Sequence, residues 1–241
     1  MGKIHAIQFW TACLLGMFML HSCQSTTQNQ TESASQSQTS DSLPTSRSSG
    51  GEHDTTGNTI LVLGNSIAAG YGLQLEQSFP SLLQNRIDSL GLDYQVVNAG
   101  LSGETTTAGV NRLPWLLRQP VDILIIELGG NDGLRGIDPS VTEQNLLKMI
   151  DLARAKYPQI EIILCGMLAP PNMGPAYTEP FQAVFDKVAD EKQTLLVPFI
   201  LEGVAGIPGL NQEDGIHPTP AGQVIVADNV WQILAPLLGK S

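Results

Sequence analysis

The sequence predicts an α/β fold in which a parallel sheet of about five strands is covered by helices on both faces. Short, almost wholly apolar runs alternate along the chain with longer segments whose apolar residues recur at helical spacing. Such runs are typical of strands buried on both faces, and their alternation with helices is typical of parallel sheets. The predicted elements all follow residue 57, so they fit one domain with a single core.

Five apolar runs predict the strands. The run at 121–128 (VDILIIEL) is long and almost wholly apolar, which places it at the centre of the sheet. The first run ends at Gly64, where a turn is expected. The predicted strands cover residues 59–63, 94–98, 121–128, 160–166 and 195–198.

Five helices are predicted between and after these strands. Gly91 ends the first helix, and Pro114 interrupts the second. Thr219 and Pro220 open the last helix as its N-cap and its first residue. The predicted helices cover residues 76–90, 105–118, 139–157, 175–192 and 220–238.

The amino-terminal segment is predicted to direct export rather than to join the domain. Lys3 gives a positive start, and the apolar stretch 7–20 is too short to span a bilayer comfortably. The stretch leads into Leu20-His21-Ser22-Cys23, which resembles a bacterial lipobox although His21 is unusual at its position. Residues 1–22 are therefore predicted to be a lipoprotein-type signal peptide.

The lipobox resemblance implies that Cys23 is lipidated and becomes the first mature residue. Residues 23–57 are rich in Ser, Thr and Gln and are predicted to be a disordered tether ahead of the domain at 58–241. The expected location is the bacterial cell envelope, with the membrane as a partner through the lipid. An ordinary secretory signal with an incidental cysteine and a retained membrane anchor are the alternatives.

Charge and cysteine content exclude several functional classes. The net charge is −11 and the basic residues are scattered, which disfavours nucleic acid and anionic membrane surfaces as electrostatic partners. Cys165 is interpreted as a small core residue, so no disulfide is expected within the domain. One histidine and one buried cysteine do not make a zinc site, and no metal site is predicted.

Three residues suggest a serine hydrolase. Ser66 follows the first predicted strand, and His217 is the only histidine within the predicted domain. Near neutral pH a serine nucleophile needs an adjacent base, and the base needs an orienting carboxylate. Asp214 lies three residues before His217, a spacing that puts both side chains on one face of a helical turn. The alternatives are a helix N-cap for Ser66 and a surface pair for Asp214 and His217.

Two further polar positions follow the next predicted strands at the same edge of the sheet. Gly103 comes after the second strand and Asn131 after the third. The Asn131 amide and the backbone N–H groups of Gly103 and Ser66 would supply three donors to a developing oxyanion, as acyl transfer requires. A simple turn at 129–133 (GGNDG) is the alternative.

Four segments, taken in chain order, resemble the sequence blocks of the SGNH (GDSL-type) hydrolases. They are residues 60–73 (ILVLGNSIAAGYGL), 97–105 (VNAGLSGET), 127–133 (ELGGNDG) and 214–222 (DGIHPTPAG). The chain is most similar to the bacterial subgroup of thioesterase I, arylesterase and lysophospholipase L1 proteins. The resemblance covers essentially the whole predicted domain.

This resemblance implies a flavodoxin-like three-layer α/β/α sandwich and a reaction that needs no cofactor. It implies that Ser66 is the nucleophile, His217 the base and Asp214 its partner. It also implies an oxyanion hole formed by Ser66, Gly103 and Asn131. The chain departs from the family at one position, because the family's Gly-Asp-Ser is Gly64-Asn65-Ser66 here.

The expected activity is hydrolysis of acyl esters of arylesterase, lysophospholipase or acyl thioesterase type, with a small-molecule or lipid ester as substrate. The segment 169–177 resembles the family loop that borders the acyl pocket, so Met173, Tyr177 and Phe181 are predicted acyl contacts. Core packing is the alternative for these three. A carbohydrate O-deacetylase of the same family and a non-catalytic binding lipoprotein are the competing functions.

Overall fold

A computed structural model of the protein describes residues 58–239. The predicted signal peptide, the predicted tether and Cys23 lie outside the described residues. Among the residues that are described, no helix is both long enough and apolar enough to cross a membrane.

One sheet of five parallel strands forms the centre of the domain. The strands lie in the order β2-β1-β3-β4-β5, and every neighbouring pair is parallel. All five residues of β3 are buried, as expected for the most apolar run of the sequence. The strands are β1 (Asn58–Gly64), β2 (Tyr94–Gly100), β3 (Ile123–Glu127), β4 (Glu161–Cys165) and β5 (Leu195–Val197).

Helices cover the sheet in two groups. The helices are α1 (Ser66–Ala69), α2 (Phe79–Ser89), α3 (Thr106–Leu116), α4 (Gly130–Leu134), α5 (Pro139–Lys156), α6 (Pro175–Lys192) and α7 (Pro220–Leu234). Helix α2 packs against α7, whereas α3, α5 and α6 pack side by side. Right-handed crossovers put these groups on opposite faces of a sheet with this order. The predicted three-layer α/β/α fold is confirmed.

The structure adds the short helix α1, which was not predicted, and it differs from the predicted elements in three further places. A 3₁₀ turn at Leu75–Gln77 stands apart from α2, which begins at Phe79. Pro114 does not interrupt α3, because it lies near the end of a helix that stops at Leu116. The glycine-rich segment after β3 forms the short helix α4 rather than a simple turn.

The strand order determines where a site can form. The first crossover runs from β1 to β2 on one side, and the next returns from β2 past β1 to β3 on its other side. A crevice opens at such a switch point, outside the carboxyl ends of the strands. Gly100 lets α1 lie close to the end of β2, because a Cβ there would overlap the backbone of Ala68 and Ala69. The turn that carries Ser66 therefore lies directly over the crevice.

Candidate active site

The turn after β1 exposes the hydroxyl of Ser66. Asn65 is the N-cap of α1, and its side-chain oxygen accepts a hydrogen bond of 2.9 Å from the backbone N–H of Ile67. Ser66 is therefore the first residue of α1. The N-cap role that the sequence allowed for Ser66 belongs to Asn65. Asn65 fills the acceptor role expected of the family's aspartate with an uncharged side chain.

A continuous chain of hydrogen bonds joins the three residues predicted for catalysis. The Nε2 atom of His217 lies 2.8 Å from Oγ of Ser66, and its Nδ1 atom lies 2.5 Å from Oδ2 of Asp214. Ser66 and His217 are 151 positions apart in the sequence. The described part of the chain thus brings together a hydroxyl, an imidazole and a carboxylate in the order that nucleophilic catalysis requires.

Asp214 and His217 lie in a turn, so the helical spacing proposed for them is wrong. Gly215 adopts a left-handed conformation with φ of 70°, which breaks any helical path between the two residues. Oδ1 of Asp214 accepts hydrogen bonds from the backbone N–H groups of Ile216, at 2.9 Å, and His217, at 3.0 Å. The carboxylate therefore organises the turn through one oxygen and the imidazole through the other.

These hydrogen bonds keep Asp214 ionised. Desolvation is the largest single influence and raises the pKa of the carboxyl. The ring and backbone hydrogen bonds from His217 and the backbone hydrogen bond from Ile216 together outweigh desolvation, and they lower the pKa of Asp214 to about 2. A negative charge therefore faces Nδ1 of His217 at any pH near neutrality.

Gln212 anchors the histidine loop to the serine turn. Its side-chain amide donates to the backbone oxygen of Tyr71 at 2.7 Å and to that of Pro218 at 3.0 Å. The rings of Tyr71 and His217 lie with their centroids 4.5 Å apart at a tilt of 35°. Gly72 has φ of 75° and would bring a Cβ within 2.5 Å of the Gln212 side chain, so glycine suits this crossing.

Three hydrogen-bond donors lie around the Ser66 hydroxyl. Within residues 58–239, the backbone N–H groups of Ser66 and Gly103 donate to no protein acceptor. The side-chain amide of Asn131 uses one hydrogen to reach the backbone oxygen of Glu104 at 3.0 Å, and its second hydrogen has no acceptor in the described part of the protein. All three donor residues line the same cavity.

An ion pair holds the loop that carries Gly103. Glu104 is buried, and its carboxylate pairs in a bidentate manner with the guanidinium of Arg112. Arg112 also donates to the backbone oxygen of Ala99 at 2.6 Å, at the end of β2. On the exposed side, Arg135 donates to the backbone oxygen of Gly103 at 3.0 Å. The loop around the Gly103 N–H is thus held from two sides. Arg112 acts through Glu104, and Arg135 binds the backbone oxygen of Gly103.

A largely apolar cavity of about 830 Å³ opens beside Ser66 and His217. Its wall comes from the ends of β1, β3 and β4 and from the loops before α7. Several large side chains in the wall are exposed, including Tyr71, Leu134, Leu168 and Ile216. The other apolar side chains of the wall include Ile67, Met167, Pro170, Pro171, Phe199 and Leu201.

The predicted acyl contacts Met173, Tyr177 and Phe181 do not line this cavity. Tyr177 and Phe181 lie one helical turn apart on α6 and stack at 5.8 Å between ring centroids. Phe181 is fully buried against Phe185, and the Tyr177 hydroxyl donates to the backbone oxygen of Ile137 at 2.7 Å. This face of α6 points into the core. Met173 lies before α6, at the end of a 3₁₀ turn, with its methyl group beside Gly136. The prediction is therefore wrong for all three residues, and the loop reaches the cavity instead through residues 167–171.

Sequence reasoning missed Gln212, Arg112 and Tyr71, which order the site without taking part in a motif. Tyr71 was visible inside the first sequence block, but nothing in the sequence indicates that its ring lies beside His217. Among the described residues, no cluster of three or more His, Cys, Asp or Glu side chains could hold a metal ion.

Comparison with known proteins identifies the class. Residues 62–225 match the GDSL-like lipase/acylhydrolase family. Esterase TesA of Pseudomonas aeruginosa is 49% identical over 181 residues, which cover 75% of this chain and 89% of the relative. The thioesterase 1/protease 1/lysophospholipase L1 of Escherichia coli strain K12 is 40% identical over 181 residues, covering 75% and 85% of the two chains. A crystal structure of TesA, at 48% identity, superposes with a TM-score of 0.72 and covers 75% of this chain and all of that one.

The chain belongs to the GDSL-like lipase/acylhydrolase family, as the resemblance of its four blocks predicted. Within this family it is a carboxylic ester hydrolase of the SGNH type.

Replacing Arg112 by Gln should lower the free energy of unfolding by about 3 kcal/mol, because it leaves the Glu104 carboxylate buried without its partner. Urea unfolding measures the loss. Arg86→Gln is the matched control, since the Arg86–Asp228 pair is more exposed and should cost less than about 1 kcal/mol. Equal losses in the two variants would show that the Glu104 pair does not fix its loop.

Proposed function

We propose that the protein is a serine esterase that works through a Ser66–His217–Asp214 triad and an oxyanion hole formed by Ser66, Gly103 and Asn131. The observation that carries the proposal is the hydrogen-bonded chain from Ser66 through His217 to Asp214. The cavity beside it supports the proposal, because it offers space for an acyl group next to the hydroxyl.

In the first step, Oγ of Ser66 attacks the ester carbonyl carbon while Nε2 of His217 takes the hydroxyl proton. The ionised Asp214 stabilises the imidazolium that forms and holds the ring in the productive orientation. The free N–H groups of Ser66 and Gly103, with the Asn131 amide, stabilise the negative charge on the carbonyl oxygen. The tetrahedral intermediate then collapses: the bond between the carbonyl carbon and the ester oxygen breaks, His217 gives its proton to that oxygen, the alcohol leaves, and an acyl-enzyme remains on Ser66.

Deacylation repeats these steps with water as the nucleophile. His217 takes a proton from the water, which attacks the acyl carbon and restores the oxyanion. Collapse of this second intermediate breaks the bond to Oγ and returns the proton to Ser66. The acid product leaves through the open side of the cavity.

The size and lining of the cavity favour acyl groups longer than acetyl. An acetyl group would leave most of an 830 Å³ apolar space unfilled. The relatives named esterase and lysophospholipase act on acyl groups, which supports acyl esters and lysolipids as the substrate class. The same features disfavour a carbohydrate O-deacetylase, and the filled triad and donor positions disfavour a non-catalytic binding lipoprotein.

A chain-length series of p-nitrophenyl esters tests both the mechanism and the substrate class. The wild-type protein should keep or raise its kcat/KM from acetyl to longer acyl groups, whereas a deacetylase would lose activity sharply beyond acetyl.

Ser66→Ala should lower kcat on the best ester by a factor on the order of 10⁴ or more, because nucleophile and base act as a unit. A folded Ser66→Ala protein that keeps most of its activity would exclude the mechanism.

Replacing Asp214 by Asn should lower kcat by roughly 10³–10⁴-fold, because the imidazole loses its orienting charge.

In the wild type, kcat/KM should fall on acidification through one ionisation, since imidazolium cannot accept the serine proton. Asp214, with a pKa of about 2, stays ionised over that range and adds no second step. Initial rates across the pH range measure this, and a second acid ionisation would contradict it.

We further propose that the protein is an exported lipoprotein whose domain is tethered to the bacterial envelope through Cys23. The support is the lipobox-like Leu20-His21-Ser22-Cys23 sequence after a short apolar stretch, followed by the polar residues 24–57. A tethered esterase of this kind would meet envelope lipids and their lysolipid products rather than acyl thioesters inside the cell.

Replacing Cys23 by Ser should move the protein from the membrane fraction to the soluble fraction, because the thiol that would carry the lipid is lost. Specific activity should not change, since Cys23 lies outside the domain that holds the cavity. Fractionation followed by an esterase assay measures both quantities. A Cys23→Ser protein that remains with the membrane would contradict the lipid anchor.

A further inference from the structure

A buried carboxyl lies beneath the turn that carries Ser66, and the proposed mechanism does not use it. Glu127 is the last residue of β3 and is paired in register with Gly64, the last residue of β1. Its side chain is inaccessible to solvent. A Cβ at position 64 would lie 2.6 Å from Oε2 of Glu127, so only glycine leaves room for the carboxyl.

One oxygen of Glu127 holds the turn on both sides of Ser66. Oε2 accepts hydrogen bonds from the backbone N–H of Asn65, at 2.9 Å, and from that of Ala68, at 3.2 Å. The Asn65 side-chain amide adds a bond of 3.4 Å to the backbone oxygen of Glu127. The residue before Ser66 and the residue two positions after it are therefore fixed to the end of β3.

The second oxygen of Glu127 has no partner. Oε1 is buried and forms no hydrogen bond in the described part of the chain. A buried carboxylate without a cation is far more costly than a neutral carboxylic acid, because the charge loses its hydration. Protonation of Oε1 therefore stabilises the buried carboxyl, and Oε2 can still accept hydrogen bonds from the backbone N–H groups of Asn65 and Ala68.

We propose that Glu127, in its protonated form, is a positioning residue that sets the location of the Ser66 hydroxyl, and that ionisation, which leaves an uncompensated buried charge beside the unpartnered Oε1, displaces the turn and lowers activity at alkaline pH. This inference rests on the proposed function of Ser66. Glu127 touches neither the cavity nor the reacting atoms, so it acts only through the backbone of the turn.

The groups around Glu127 favour the neutral form. Desolvation by burial is the largest influence and raises the pKa of Glu127 to about 8, although the hydrogen bonds from Asn65 and Ala68 lower it in part. Glu104, from the loop after β2, raises it further and is itself paired with Arg112 of α3. Cys165 of β4 also faces this region, and its thiol stays neutral because burial raises its pKa well above the ordinary value.

The raised pKa makes stability depend on pH in a defined direction. The folded protein holds the Glu127 proton up to about pH 8, whereas an exposed glutamate releases it near 4.5. The folded state therefore binds more protons than the unfolded state between these values. The stabilisation from protonated Glu127 is complete below about pH 4.5 and is lost as the pH rises towards 8.

The positioning role is tested first by two variants of similar size. Glu127→Met removes both oxygens, leaves the two backbone N–H groups without an acceptor, and should lower kcat at pH 7 by about tenfold or more with little change in KM. Glu127→Gln keeps one carbonyl oxygen and should restore kcat to within about threefold of the wild type. Ile125→Ala is the control, because it opens a cavity two residues earlier in β3 and lowers Tm without touching the turn.

The pH dependence is tested with Glu127→Gln, which cannot ionise. Between pH 5 and about 8, the Tm of the wild type should fall relative to that of the variant. Above about pH 8, kcat of the wild type should fall while kcat of the variant stays level. Parallel Tm curves together with identical alkaline profiles would overturn the proposal, as would equal kcat values at pH 7 for folded Met and Gln variants.

Failure of the positioning role of Glu127 can be distinguished from failure of the proposed function. If Glu127→Met does not fold, the alkaline kcat profiles of the wild type and Glu127→Gln decide the matter alone. If Ser66→Ala retains the activity of the wild type, the proposed function fails, and a role for Glu127 in positioning a nucleophile fails with it. The Tm comparison would still report whether the buried carboxyl is neutral, because it requires no substrate.

Discussion

The 2.8 Å contact between Oγ of Ser66 and Nε2 of His217 requires two loops, 151 positions apart, to meet above the same edge of the sheet. Nothing in either loop fixes this meeting by itself. The strand order puts the end of β1 at the switch point, and the loop before α7 crosses over it. Gln212 then ties that loop to the backbone of Tyr71, only a few residues after the serine. A displacement of about 1 Å at this crossing would be enough to impair proton transfer.

Much of the accuracy of this arrangement comes from polar side chains that lie outside the hydrogen-bonded chain of Ser66, His217 and Asp214. Glu127 supports the serine turn from below, Arg112 fixes the loop of Gly103 through Glu104, and Gln212 secures the histidine loop. Each of them forms hydrogen bonds that hold a loop, a first helical turn or a strand end in place. The apolar core provides a rigid platform, while these few buried or half-buried polar groups define the positions of the loops on it.

The sequence allowed the fold to be predicted because burial on both faces leaves an unmistakable pattern. The run at 121–128 is almost wholly apolar because β3, at its centre, is covered on both sides. The sequence also indicated residues that the structure brings together, since the turns after parallel strands converge at the carboxyl end of the sheet. Side-chain direction was harder to infer. Asp214 and His217 meet through a left-handed Gly215 and not through helical spacing, and Tyr177 and Phe181 turn into the core. Glu127 gave no signal, because it merely ends an apolar strand in the sequence.

Both ends of the described chain lie away from the cavity. The direction of the chain explains this. β1 begins at the opposite end of the sheet from Ser66, and α7 runs from the histidine loop back towards that end. Attachment of the domain at either end, whether to a bead, a carrier domain or a sensor surface, would therefore leave the mouth of the cavity facing outwards. The topology that assembles the site also gives the domain a natural orientation for immobilisation.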